Sequence, residues 1–135
     1  MIKHGIVLPF QVGISPTLGI RGVLATESIK KSRIIEQCPA LIYPKNPKII
    51  EQTIFDTYVF DWDKNHEALA LGYGSLFNHS YSPNVRVDFD SDKKEIVFTA
   101  LRAIAQGEEL LINYNDDSTE PIDPEYLDFD QAQER

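Results

Sequence analysis

Apolar and polar side chains alternate most clearly in the second half of the chain. Val85, Val87 and Phe89 are apolar, and the residues between them are charged. This two-residue period is typical of a strand with one buried face. The polar residues 90–94 predict a turn, and residues 95–101 are expected to pair back as the second strand of a hairpin.

Other apolar stretches predict further strands, and turn-forming residues separate them. We expect an edge strand or two short strands where Pro9 interrupts the first stretch, and a bend at Pro39 in a longer one. The predicted fold class is mainly β, built from short sheets with minor helices. The predicted strands are 5–14, 22–26, 34–43 and 110–114, with a turn at 15–19.

The segment 48–62 has a pattern that fits two structures. Its apolar residues Ile50, Ile54, Tyr58 and Trp62 recur every four positions, which permits a helical turn or two. Its β-branched and aromatic content equally permits a strand. We favour a short helix followed by a strand.

Length and charge narrow the class of protein. A chain of 135 residues forms one domain by the usual prior. Its net charge of −8 argues against direct binding to nucleic acid. An acidic surface suits the attraction of basic peptide segments by long-range steering, although it can also serve solubility alone.

The single cysteine, Cys38, excludes an internal disulfide and a zinc cluster made of cysteines. The histidines show no metal-ligand spacing, so we expect no metal. No apolar stretch approaches the roughly 20 residues that cross a bilayer, and the N-terminus lacks the pattern of a signal peptide. We therefore expect no membrane association and a cytoplasmic location.

Residues 69–84, LALGYGSLFNHSYSPN, follow neither period. Two glycines interrupt the apolar part, and Asn78, His79 and Ser80 then stand in a row before Pro83 and Asn84. An asparagine amide both donates and accepts hydrogen bonds, and burying such groups without partners is costly. We expect a hydrogen-bonding loop beside a cavity.

A second unusual stretch, 107–116, places an apolar strand before Tyr114 and its polar neighbours. Together the two stretches predict a pocket that contains a tyrosine hydroxyl.

These two stretches resemble the SET-domain family of protein lysine methyltransferases. The likeness rests on Asn78-His79-Ser80 with Pro83-Asn84, followed after about thirty residues by Gly107-Glu108-Glu109-Leu110 and Tyr114. It extends from roughly residue 18 to residue 117 and is closest to the small stand-alone viral and bacterial type.

The resemblance implies several short β-sheets around a knot-like C-terminal threading, which general topology rules would not predict. We assign residues 1–117 to the SET domain. Residues 118–135 form an acidic C-terminal tail, which we expect to act as a lid over the active site. The small viral relatives pair, so the resemblance also suggests a homodimer.

The resemblance implies methyl transfer from S-adenosylmethionine to a lysine of a basic protein or peptide. Tyr114 matches the catalytic tyrosine beside the transferring methyl group. Tyr58 resembles the aromatic that lines the lysine channel, although a place as a core aromatic fits it equally. A free lysine has a pKa near ~10.4, and desolvation in an apolar channel lowers that pKa. Aromatic walls accept the cationic lysine on arrival and exclude water.

For the cofactor, Asn78 and His79 match family residues that contact S-adenosylmethionine, the asparagine by side chain and backbone and the histidine largely by backbone. The amino-acid end of the cofactor is implied to meet the turn that contains Arg21 and Gly22. Ile20 replaces the first glycine of the family's usual Gly-x-Gly, which would weaken cofactor binding if that position needs a positive φ.

The family also closes the lysine channel with an aromatic residue where this chain has Ser118. Tyr126 or Phe129 would then take its place from the tail. The departures at Ile20 and Ser118 keep a second hypothesis open, in which the chain is a catalytically silent SET-like module that binds peptides or partner proteins.

Overall fold

A computed structural model of the chain describes residues 7–46 and 53–115. Short strands dominate these residues, and the only helices among them are two single 3₁₀ turns, η1 and η2. The predicted mainly β fold class is confirmed. The elements are β1 (Phe10–Ile14), β2 (Arg21–Ala25), β3 (Ile34–Pro44), η1 (Ile54–Thr57), β4 (Phe60–Asp61), β5 (His66–Ala70), η2 (Gly74–Leu76), β6 (Asn78–His79), β7 (Val85–Asp90), β8 (Glu95–Ala100) and β9 (Leu111–Ile112).

The largest sheet has five antiparallel strands in the order β4-β5-β3-β8-β7. The long strand β3 pairs with β8 as far as Pro39 and with β5 from Ala40 onward. Proline has no N–H to give to a ladder, and Pro39 stands where β3 changes partner. The hairpin predicted from the alternating pattern is confirmed as β7 and β8.

Two small sheets bring the unusual stretches of the sequence together. β1 and β2 form an antiparallel hairpin across the predicted turn. β6 and β9 run parallel, with Asn78 opposite Leu111 and His79 opposite Ile112. The segment before β9 also contacts β2, because the Leu110 N–H donates to the Val23 carbonyl at 2.8 Å. The structure therefore places β9 and the residue before it next to both the asparagine–histidine segment, β6, and the turn that contains Arg21 and Gly22.

Aromatic side chains of the core support the region where these segments lie together. The rings of Phe77 and Phe98 lie 4.9 Å apart, and Phe10 packs edge-on against Phe77 at 6.0 Å. Burying a phenylalanine side chain stabilises a fold by about 1.5–3 kcal/mol. Phe77 directly precedes Asn78, so the residue that anchors the core also fixes the start of β6.

Cys38 is a free, buried cysteine. Its thiol donates to the Glu36 carboxylate at 2.7 Å, and burial raises the pKa of Cys38 to about 12. Almost no thiolate exists at neutral pH, so this cysteine is a poor nucleophile.

Three predicted elements are shorter than expected. Within the described part of the expected strand 5–14, the strand is limited to β1, which begins after Pro9. The strand expected over 110–114 is limited to β9, because the Tyr114 N–H donates to a side chain, His79 Nδ1, and not to a neighbouring strand. In the segment 48–62, the helix is the single turn η1 and the strand is the two residues of β4.

Residues 47–52 and the tail 118–135 lie outside the described residues. The expected role of the tail as a lid stays a prediction. The knot-like threading stays a prediction. No helix within 7–46 and 53–115 combines the length and apolar character that a membrane span requires.

Candidate active site

A small pocket unites four of the predicted site residues. Arg21 comes from β2, Tyr58 follows η1, Asn78 begins β6, and Tyr114 follows β9. These positions are up to 93 residues apart along the chain, so the fold and not the local sequence brings them together. The full lining is Ile20, Arg21, Tyr58, Ser75, Leu76, Asn78 and Tyr114.

Tyr114 is held at both ends. Its hydroxyl donates to the Phe77 carbonyl oxygen at 2.8 Å, and its backbone N–H donates to His79 Nδ1 at 3.0 Å. Because the hydroxyl hydrogen is directed to Phe77, the phenol oxygen presents its lone pairs as acceptors. A fixed hydroxyl oxygen on a pocket wall can orient a donor amine.

His79 does not line the pocket but supports it. Since its Nδ1 accepts a hydrogen bond, the neutral ring carries its proton on Nε2. That Nε2 is buried and has no hydrogen-bond partner among the described residues, while the Tyr81 ring packs edge-on at 4.4 Å. Burial lowers the pKa of His79, which favours this neutral form.

Asn78 is buried, with 6% of its surface exposed, and uses both amide hydrogens. Its Nδ2 donates to the Arg21 carbonyl at 2.9 Å and to Glu109 Oε2 at 2.7 Å. The amide oxygen remains as the acceptor of the group. Asn78 therefore offers an acceptor to a ligand with donor groups.

Glu109 is a site residue that the sequence reasoning missed. It is 7% exposed, and its carboxylate accepts from both Asn78 and the Ser15 hydroxyl. A glutamate is rarely buried unless it is paired. The available signal was its place in Gly107-Glu108-Glu109-Leu110, where an acidic residue immediately precedes an apolar strand.

Gly22 makes the contact between these groups possible. A Cβ atom at this position would lie 2.5 Å from Glu109 Oε2 and 2.8 Å from Asn78 Nδ2. Because Gly22 has no side chain, the Glu109 carboxylate and the Asn78 amide can approach its backbone closely. The left-handed backbone of this turn is at Gly19, with φ of 73°, and Ile20 does not adopt a positive φ. The position of Ile20 therefore does not need the positive φ that would have made a residue other than glycine unfavourable for cofactor binding.

Arg21 and Tyr58 interact within the pocket. The Arg21 Nη2 donates to the Tyr58 hydroxyl at 3.2 Å. A guanidinium group suits a carboxylate ligand, because it presents several N–H donors in one plane. The pair thus combines a fixed positive charge with an aromatic surface.

Ser75 is a second residue that the sequence reasoning missed. Its hydroxyl is buried on the pocket lining and finds no hydrogen-bond partner within the described part of the chain. A buried polar atom without a partner calls for an explanation, and a ligand group is one. A serine between glycine and leucine gives no sign of this placement in the sequence.

A wider depression lined largely by residues of β7, β8 and the turn between them contains none of the predicted site residues. Its Arg86 and Asp88 pair with each other at 2.7 Å and are about half exposed. Solvent-exposed ion pairs of this kind contribute little to the stability of the fold. The smaller pocket is the candidate active site.

Comparisons with known proteins identify the family of this chain. The family described as SET domain matches residues 20–115. A histone-lysine N-methyltransferase of Schizosaccharomyces pombe, specific for H3 lysine-37, is 38% identical over 98 residues, which cover 71% of this chain and 67% of that protein. The histone-lysine N-methyltransferase SUV39H1 of Xenopus laevis is 30% identical over 125 residues, but this chain spans only 30% of its length.

A solved structure gives the same result for the fold. The crystal structure of a candidate histone methyltransferase of Plasmodium falciparum, PFL0690c, matches with a TM-score of 0.63 and 33% sequence identity. The match covers 81% of this chain and 95% of that one. The predicted closeness to the small viral and bacterial type stays a prediction. The chain belongs to the SET-domain family of methyltransferases.

Proposed function

We propose that this chain is an S-adenosylmethionine-dependent protein-lysine N-methyltransferase. The observation that carries the proposal is the pocket in which Tyr58, Asn78 and Tyr114 converge with Arg21. The two curated relatives are named as histone-lysine N-methyltransferases, which supports the same reaction.

The residues of the pocket fit the amino-acid end of the cofactor. The α-ammonium group needs an acceptor, which the Asn78 amide oxygen supplies. The α-carboxylate needs donors, which the Arg21 guanidinium and the buried Ser75 hydroxyl supply. Asn78, Arg21 and Ser75 would hold the cofactor, with Gly22 allowing close approach and the His79 backbone beside it.

When bound, S-adenosylmethionine supplies an electrophilic methyl group on a sulfonium sulfur. The protein must then align a neutral amine with it, because positioning provides much of the rate in such a displacement. We assign this task to the Tyr114 oxygen, which is fixed by its bond to the Phe77 carbonyl.

The substrate is proposed to be a lysine in a basic, histone-like segment. Tyr58 and Tyr114 supply aromatic surface that attracts a cationic lysine and excludes water around it. Exclusion of water favours the neutral amine. The net charge of −8 assists the approach of basic segments. The cytoplasmic location and the homodimer stay predictions.

The test combines binding and turnover. We expect calorimetry to detect S-adenosylmethionine binding, and a lysine peptide library of histone-like sequences to accept methyl groups. Matched peptides with arginine in place of lysine serve as the control. Peptide binding without cofactor binding would contradict the proposal and favour the catalytically silent module.

A further inference from the structure

We propose that Glu109 is a positioning residue for cofactor recognition. Its carboxylate fixes the Asn78 side chain so that the amide oxygen, and not the amide nitrogen, meets the α-ammonium group of the cofactor. This inference rests on the proposed function and assigns a role to a residue outside the pocket lining.

The Glu109 side chain is held on both sides. One carboxylate oxygen accepts from the Ser15 hydroxyl, and the other accepts from Asn78 Nδ2 at 2.7 Å. The backbone is fixed as well, because the Glu109 carbonyl accepts from Asn84 Nδ2 at 2.8 Å and the residue bridges to Leu24 of β2. A carboxylate with so little freedom can define the orientation of its neighbour.

The chemistry of the amide permits only one orientation. Both partners of Asn78 Nδ2, the Arg21 carbonyl and the Glu109 carboxylate, are acceptors. A flipped amide would turn its oxygen toward these two oxygens and lose both hydrogen bonds. Glu109 and the Arg21 backbone therefore force the amide oxygen into the acceptor role toward the ligand.

If Glu109 only stabilised the fold, its replacement would weaken the binding of every ligand equally. If Glu109 positions Asn78, its replacement should weaken only the binding of a ligand that carries the α-ammonium group. Two ligands separate these cases. The first is S-adenosylhomocysteine, and the second is its analogue in which hydrogen replaces the α-amino group. The ratio of their dissociation constants reports only on recognition of the ammonium group.

We expect the full chain to bind S-adenosylhomocysteine about tenfold or more tightly than the deaminated analogue, as for loss of a charge-assisted hydrogen bond. Glu109→Ala should bring this ratio to about one, mainly through weaker binding of S-adenosylhomocysteine. Glu109→Gln should keep the ratio within about threefold of the native value, because its amide oxygen accepts the same bond. Calorimetry measures all six dissociation constants.

Ser15→Ala is the matched control. It removes the other partner of the Glu109 carboxylate without touching Asn78, so it should lower the melting temperature and keep the ratio. If Glu109→Ala does not fold, Glu109→Leu replaces it, because leucine fills a similar volume and offers no acceptor to Asn78.

An unchanged ratio in Glu109→Ala or Glu109→Leu would overturn the inference while the proposed function stands. A Glu109→Gln variant that loses the ratio as fully as Glu109→Ala would overturn it too. Failure of the unmodified chain to bind S-adenosylhomocysteine would instead overturn the proposed function.

Discussion

The Tyr114 backbone N–H donates to the imidazole Nδ1 of His79 at 3.0 Å, although the two residues are 35 positions apart. Their rings lie 5.2 Å apart. This bond joins the end of the last strand to the asparagine–histidine segment. It exists only while Nδ1 is unprotonated, so the state of one imidazole bears on the position of the candidate catalytic tyrosine.

The first prediction concerns pH. Burial lowers the pKa of His79 in the folded chain below its ordinary value near ~6.5. Between this lowered pKa and the ordinary value, the unfolded chain therefore binds a proton at His79 more readily than the folded chain does. The stability that His79 contributes is complete above about pH 6.5 and is lost as pH falls through the lowered folded pKa.

Melting temperatures between pH 5 and pH 8 provide the measurement. The unmodified chain should lose stability on the acid side more steeply than His79→Gln, which has no ionisable group at this position. Identical pH profiles of the two proteins would contradict the assignment of a neutral, hydrogen-bond-accepting His79.

The second prediction concerns the aromatic wall. Tyr58→Phe keeps the ring and removes the hydroxyl that accepts from Arg21, while Tyr58→Ala removes the wall. We expect the KM for a lysine peptide to rise about tenfold in Tyr58→Ala and less than about threefold in Tyr58→Phe, since the ring supplies the cation–π attraction.

Steady-state kinetics at saturating cofactor measure this series. Tyr73→Ala is the control, because Tyr73 is 43% exposed, packs against Phe10 and does not line the pocket. An equal rise of KM at positions 58 and 73 would remove Tyr58 from the proposed channel.

The third prediction concerns the glycine that admits the buried network. Gly22→Ala should lower the free energy of unfolding by about 2 kcal/mol, because the new methyl group overlaps Glu109 and Asn78. It should also weaken cofactor binding. Urea denaturation and calorimetry measure the two effects.

Gly13→Ala is a matched control on the opposite strand, since Gly13 pairs directly with Gly22. Its new methyl group would lie 3.0 Å from Leu24 Cδ1, the end of a side chain that can rotate. We expect a cost below about 1 kcal/mol for this variant. Equal costs at both glycines would mean that the contact at Gly22 is not tight.

Local patterns predicted the elements whose periodicity is decided by one buried face. Val85, Val87 and Phe89 alternate with charged residues. β7 follows this pattern at Val85, which is buried, and at Val87, which is half-buried, whereas Phe89 is exposed. Pro39 marked a discontinuity because proline cannot donate to a ladder, and β3 does change partner there. Propensity could not give the length of β9, because a side chain, His79, takes the bond that would extend it.

The candidate site divides in the same way. Tyr114, Asn78, Arg21 and Tyr58 could be proposed from motif and resemblance, and the structure places them in one pocket. Ser15 and Ser75 gave no signal in the sequence, and Glu109 gave only its place before an apolar strand. The contact that joins Ser15 to Glu109 spans 94 positions. Such contacts are set by the pairing of distant strands, which no local window of the sequence contains.

The most direct test of the account is the rate of methyl transfer by Tyr114→Phe. This change removes only the oxygen that bonds the Phe77 carbonyl, so it should cost no more than about 1.5 kcal/mol of stability. A matched loss of hydroxyl at Tyr73→Phe should leave the rate intact.

We predict that kcat on a lysine peptide falls at least about a hundredfold in Tyr114→Phe, the scale of losing one positioned polar group at a reacting centre. The affinity for S-adenosylhomocysteine should stay within about threefold of the native value. A Tyr114→Phe enzyme that methylates its peptide at the rate of the unmodified chain would contradict the account.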